Sequence, residues 1–457
     1  MQARGEWIKA HDAGDAQART SPPPRFFLTV FGEMPYLGTI PVSGGAMTRI
    51  VFAVSILAAF AVSAAPQEIK LGAALPLTGT ESKSGGRLRD GYELAVELAN
   101  QQGGVEVGGA RLPVKLILVD DKSEAATDER AVEELAGQGV DVVLGTFGSS
   151  MVEKGSAVAE KMHVPYLAAT GASKALYQRG FKYLFGLQSP VEQLGNALMR
   201  WAEEEQQLGH LPTPARVAVL WEKTSHGKEY AEAIKDFAGK TPRRRSAWQI
   251  ALDDSFEVNT KDYKPQLERL KGANADVVLV DAHLPDYIAM HAQYAKMGLC
   301  HKMISYGARG PEREARDQLK SAADYVTSAV WWSDEMAHNA RTAEFVKKFN
   351  EKYHRSADWY EALGYEAVRV ALDAIHKAGT SERSAVRNAL STLKIESLLP
   401  GGFLAFPEQY GGQAQYLFVV QQNMPDGSAP VIYPRIAAVK EGVAPNPACT
   451  ASKVAGK

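Results

Sequence analysis

Two hydroxyl-bearing segments stand where an anion could be held. Ser149 and Ser150 follow Gly148, where an apolar run at residues 140–144 gives way to a helical pattern. The first amides of a helix lack an intrahelical acceptor and carry the positive end of its dipole, so a carboxylate is stabilised there. A serine in that place also caps its own helix, and the two readings compete. Thr170-Gly171-Ala172-Ser173 repeats the arrangement after the run at 164–167, with a glycine that permits close backbone approach. Three ionisable side chains follow later apolar runs. Asp281 and His283 are two residues apart and share a face if the chain is extended there. His226 precedes Gly227 in Glu222-Lys223-Thr224-Ser225-His226-Gly227. Against these stand a solvated histidine and an exposed loop.

Motifs of enzyme chemistry are absent from the sequence. It has no G-x-S-x-G elbow, no G-x-x-x-x-G-K-[ST] phosphate loop and no H-E-x-x-H. No cysteine cluster could hold zinc, and no G-x-G-x-x-G follows the first apolar run. The chain is therefore read as a binding protein and not an enzyme, with no cofactor and no metal site.

Such loops need a scaffold, and the chain alternates strand and helix patterns from residue 68 onward. Strands are expected at 69–75, 114–119, 140–144 and 164–167. Between them, Leu88, Tyr92, Ala95, Val96 and Ala99 mark a helical face, and another helix is expected at 127–137. The rhythm restarts with strands at 217–220, 277–280 and 303–306 and helices at 228–237 and 286–297. A run at 326–331 leads to helices at 342–353 and 360–378, and a strand pair is expected at 403–406 and 415–420. Alternation of this kind gives an α/β fold with parallel sheets covered on both faces. Ligands bind such sheets at the carboxyl ends of their strands.

With 457 residues, the chain exceeds one comfortable core. A net charge of −2 without a basic stripe excludes nucleic acid as the main partner. Met47-Thr48-Arg49, an apolar run at 50–62 and Ser63-Ala64-Ala65 form a secretory signal pattern, so cleavage is expected after Ala64. The apolar run is too short to span a bilayer comfortably. Residues 1–46 are read as an extension upstream of the true start. No cysteine near the cleavage point signals a lipid anchor, so a free product in a bacterial periplasm is expected. Cys300 and Cys449 could pair in an oxidising compartment, but two unpaired thiols is the preferred reading, because Cys449 lies in a tail, 441–457, that is expected to be flexible.

Four segments together resemble the type I periplasmic binding proteins, specifically the branched-chain amino-acid (Leu/Ile/Val) binding family of ABC transporters. They are Ile69-Lys70-Leu71-Gly72-Ala73-Ala74-Leu75-Pro76-Leu77-Thr78-Gly79, then Asp90-Gly91-Tyr92-Glu93-Leu94-Ala95-Val96 with Gln102-Gly103-Gly104-Val105, then Val119-Asp120-Asp121, and finally Gly145 through Ser149-Ser150 and Pro165 to Ala169-Thr170-Gly171-Ala172-Ser173. The resemblance spans about residues 67–440.

The resemblance implies two Rossmann-like lobes with parallel sheets joined by three hinge crossings, closing on ligand by a hinge motion. Lobe one would be 67–188 with 330–404, and lobe two 189–329 with 405–440. The crossings would fall near 188–190, 331–333 and 403–407. Ser149 and the loop Thr170–Ala172 would hold a ligand carboxylate. His226 would replace an aromatic residue lying on the ligand, and His283 a pocket tyrosine. Tyr360 would give an apolar wall. Where the family places a glutamate for the ligand's ammonium, this chain has Gly307. A buried ammonium needs a charged partner. Either Asp281 substitutes or the ligand is an amide, a keto acid or an aromatic acid. Arg309 would then meet a second ligand carboxylate, although a solvated loop arginine is the preferred reading. A disulfide found in some relatives would fall near Ser123 and Gly148 and is absent. The implied partner is an inner-membrane ABC permease served by a monomer. A ligand-sensing subunit feeding a signalling receptor is the alternative.

Overall fold

The computed structural model describes residues 68–336 and 339–449. The expected signal segment and the extension before it lie outside the described residues, as do residues 450–457.

Two large sheets organise the described residues. The first has five parallel strands, in the order Val114–Asp120, Ile69–Leu75, Val142–Leu144, Tyr166–Ala168 and Leu184–Gly186. The three strands at its centre are apolar almost throughout because helices cover both faces. The second sheet has seven strands. Thr327–Val330, Met303–Tyr306, Val277–Asp281, Ala215–Glu222 and Trp248–Phe256 run parallel, and Val419–Gln422 and Val431–Tyr433 add an antiparallel edge.

One strand expectation is corrected, and one long strand was not expected. The runs at 403–406 and 415–420 do not pair with each other. Phe403–Ala405 pairs with Lys394–Glu396, while Val419–Gln422 joins the second sheet beside Thr327–Val330. Trp248–Phe256 gives no apolar run, because an edge strand half open to solvent carries polar residues such as Asp253, Asp254 and Ser255.

The late helix Trp359–Ala378 packs on Ser82–Gln101 in the first lobe. Their backbones meet at Gly91 and Gly364, where a Cβ would lie 2.3 Å from Glu361 O and 2.6 Å from Leu88 O. Asp358 caps this helix and Glu361 completes a capping box.

Among the described residues the chain passes between the lobes three times. The crossings are tied together by the Trp331 indole N–H donating to Ser189 O at 3.0 Å and the Ser189 hydroxyl donating to Tyr416 O at 2.8 Å. Gln413 also donates to Ala172 O and Gln188 O. The third crossing therefore engages the others at 413–416, beyond the expected 403–407.

The cysteines and the tail depart from expectation. Cys300 and Cys449 form a disulfide with a sequence separation of 149. The preceding segment is held as well: Val443 N donates to Gln422 Oε1 at 2.7 Å and Asn446 N to Lys302 O at 2.8 Å. Nothing in the periodicity of 441–449 announces this, because the segment is tied by a cross-link and not by an apolar face. A bond closing so long a loop restricts the unfolded chain strongly. Replacing both cysteines by serine is expected to cost about 2–4 kcal/mol in urea unfolding. Ligand affinity should be unchanged, since neither cysteine lines the cleft cavity described next.

Candidate functional site

Loops at the carboxyl ends of both parallel sheets face each other and enclose a cavity of about 230 Å³. From the first lobe come the loops after Ile69–Leu75, Val114–Asp120, Val142–Leu144 and Tyr166–Ala168. From the second come those after Ala215–Glu222, Trp248–Phe256, Val277–Asp281 and Met303–Tyr306. This is where open α/β sheets bind ligands. A larger groove of about 690 Å³ lies beside the crossings, between Tyr177, Arg387 and Tyr410. It lies away from these strand ends, so the smaller cavity is the candidate site.

The first-lobe wall is the cradle at Ser149 and Ser150. Gly148 has φ 94°, a left-handed turn that suits glycine and aims the start of helix Ser149–Lys161 at the cavity. Val152 N donates to Gly148 O at 3.0 Å, which leaves the amides before it for a ligand. The Ser149 hydroxyl accepts from Ser173 N at 3.3 Å, and its own proton remains available. Thr170 is committed inward: its hydroxyl donates to Thr146 O at 2.8 Å and accepts from Gly148 N at 3.1 Å. It shapes the cradle through the backbone. Gly171, at φ 101°, lets that loop lie on Val152, 3.0 Å from where a Cβ would stand.

The second-lobe wall carries two acid–imidazole pairs. His226 Nδ1 lies 2.9 Å from Asp281 Oδ2. Glu222 accepts from His283 N at 2.5 Å and also meets His283 Nδ1. Burial alone would push the Asp281 carboxyl up, but His226, His283 and Arg309 outweigh it and hold the group below its usual range. Burial raises Glu222 despite the His283 cation beside it. For His283, burial pulls the other way, yet the charges of Glu222 and Glu81 dominate and lift the ring to about 10.

Ser149, Ser150, Thr170, Gly171, Ala172, His226, Asp281 and His283 come together around the cavity. Three expected residues do not line it. Ser173 turns to the other lobe and donates to Glu229 Oε1 at 2.7 Å. The Tyr360 hydroxyl meets Arg309 and donates to Glu312 Oε1 at 2.9 Å, while its neighbour Trp359 supplies the wall. Gly307 stands behind Asp281: a Cβ there would lie 3.3 Å from Asp281 Oδ1. The aspartate thus fills the space into which a side chain at 307 would grow. The solvated reading of Arg309 is corrected. Its side chain is 12% exposed, lines the cavity and stacks near Phe147 and Trp359, 5.3 Å from each ring centre.

Sequence reasoning missed Glu81, Phe147, Glu222 and Asn259, and placed position 331 at a crossing and not in the site. Each lies just beyond or at the end of a strand, and that position was the signal that could have found them.

A family model described as periplasmic binding protein matches residues 68–428. The Leu/Ile/Val-binding protein homolog 7 of Brucella abortus is 25% identical over 409 residues, covering 86% of this chain and 99% of the relative. The crystal structure of the leucine binding protein LivK of Thermotoga maritima matches with a TM-score of 0.68 at 21% identity, over 79% of this chain and 97% of that one. A solute binding protein of an ABC transporter from Rhodopseudomonas palustris, in complex with 3,4-dihydroxybenzoic acid, matches with a TM-score of 0.67 at 18% identity, over 84% and 99%. The family model is one of binding proteins, and the fold is the two-lobed α/β fold of these solved solute-binding proteins. The chain belongs to the periplasmic binding protein family.

Proposed function

We propose that this protein captures a small α-amino carboxylate between its lobes, in the periplasm, and as a monomer presents it to an inner-membrane permease. One observation carries the reading. A helix start with open amides at Ser149 and Ser150 faces, across about 230 Å³, the ionised Asp281 carboxylate. The two ends suit the two charges of a zwitterion. The Oδ1 atom of Asp281 has no hydrogen-bond partner among the described residues, so it can accept from an ammonium. Likeness to the Brucella and Thermotoga proteins, whose names give Leu/Ile/Val and leucine, supports this class.

A second reading is an aromatic carboxylate. Phe147, Trp331 and Trp359 wall the cavity, and Arg309 stands among them. The Rhodopseudomonas protein carries such an acid.

Calorimetric titration with L-leucine, L-phenylalanine, benzoate and 3,4-dihydroxybenzoate tests both. Failure of every small carboxylate to bind would refute the carboxylate cradle. Within the cradle, Ser149→Ala is expected to weaken binding about tenfold, the cost of one hydrogen bond to a charged group, with the melting temperature unchanged. Thr170→Ala is expected to lower the melting temperature, because its hydroxyl holds Thr146 and Gly148. Loss of stability on Ser149→Ala with affinity intact would mean that the serine only caps its helix.

A further inference from the structure

We propose that His283 is a specificity residue that reaches across the cleft and donates its Nε2 proton to the ligand carboxylate, with Glu222 positioning the ring. The proposal rests on the cradle reading above and adds a second-lobe grip on the same carboxylate.

Glu222 ends the strand Ala215–Glu222, and its side chain is 1% exposed. It takes two contacts from one residue, the backbone N–H and the Nδ1 of His283. Two contacts fix both the position and the plane of the imidazole. With Nδ1 turned to Glu222, Nε2 occupies the opposite edge of the ring. That edge faces the cradle: a Cβ built on Gly148 would lie 4.0 Å from His283 Nε2. Gly148 precedes the Ser149 and Ser150 amides, so Nε2 and those amides converge on one place. The Phe147 ring meets the imidazole edge-on, with centroids 5.9 Å apart and planes at 79°, and blocks a sideways swing.

The charged groups facing His283 are Glu222 from its own sheet, Glu81 from the first lobe, and Arg309 from the loop after Met303–Tyr306. Asp281, two residues back, and His226, its partner, complete the set. The acids outweigh the burial of the ring, so both ring nitrogens carry protons at neutral pH. A carboxylate then meets a fixed cation where an uncharged ring would offer one weak donor.

The test uses the tightest binder among L-leucine, L-phenylalanine, benzoate and 3,4-dihydroxybenzoate, titrated from about pH 5.5 to 8.5. Wild-type affinity is expected to be flat across this range. His283→Leu should weaken binding roughly 30-fold or more at every pH, the cost of removing a charge-assisted hydrogen bond. His283→Gln keeps a donor for Glu222 and serves if the leucine variant does not fold. Glu222→Gln is the decisive variant. Without the anion the ring titrates nearer its ordinary value of about 6.5, so affinity should match wild type at pH 5.5 and fall about tenfold or more by pH 8.5. A Glu222→Gln profile parallel to wild type, or histidine variants within threefold of wild type, would overturn the proposal while leaving the cradle standing. Absence of binding by wild type to every probe would overturn both.

Discussion

Asp281→Asn is expected to weaken binding of an α-amino acid about 100-fold, roughly 2.7 kcal/mol, while a des-amino analogue keeps its affinity within a few fold. The asparagine has the same shape, so the loss isolates the charge. Asp281 is buried, and His226, His283 and Arg309 around it hold its carboxyl below its usual range. An ammonium entering the cleft loses its water and must recover that loss from a fixed anion. Asp281 is the acid whose free oxygen fills the space into which a side chain at Gly307 would grow. The analogue brings no cation, so it does not need the aspartate. Calorimetry with L-leucine and 4-methylpentanoate reads the difference. Equal binding of leucine by Asp281→Asn and wild type would remove Asp281 from the ammonium site and shift the weight to the aromatic-acid reading.

The parts legible in the sequence were those that local physics fixes. The strand Ile69–Leu75 is apolar because both faces of a parallel sheet are covered, and it was bounded correctly. Ser149 could be placed at a helix start because the strand-to-helix change occurs there. What stayed hidden depends on distant partners. Glu222 and His283 are 61 residues apart, and Glu222 reads as the polar end of a strand until the histidine lies beside it. Arg309 looks like a loop residue because its aromatic neighbours arrive from Phe147 and Trp359, on the other lobe. The Cys300–Cys449 bond has no local pattern at all. Ser173 and Tyr360 were misjudged for the converse reason. Their side chains suit a pocket, but Glu229 and Glu312, from the other lobe, claim their hydroxyls.

That second claim forms a bridge between the lobes, and Glu312 is its centre. Its fully buried side chain meets Arg309 at 3.2 Å, Arg87 at 3.5 Å and the Tyr360 hydroxyl at 2.9 Å. Arg87 and Tyr360 belong to the first-lobe helices Ser82–Gln101 and Trp359–Ala378, whereas Arg309 and Glu312 follow the second-lobe strand Met303–Tyr306. Glu312→Ala is expected to destabilise the protein by about 3–5 kcal/mol in urea unfolding, because Arg309 keeps its buried charge after losing its anion. Arg87 suffers less, since Asp358 and Glu314 remain beside it. Glu312→Gln should cost less than alanine, because the amide oxygen still accepts from Tyr360. The pH dependence separates charge from packing. Burial pushes the Glu312 carboxyl up from 4.5 to about 7 against the pull of Arg309 and Arg87. Between those values the folded chain binds this proton more tightly than the unfolded chain does. The group's contribution is therefore most favourable below about pH 4.5 and declines as pH rises toward 7. Glu312→Gln cannot release a proton, so its stability should fall less than that of wild type over the same interval. Identical slopes for the two proteins would mean that Glu312 ionises as freely in the folded chain as in the unfolded one, and that the bridge holds the lobes by contact alone.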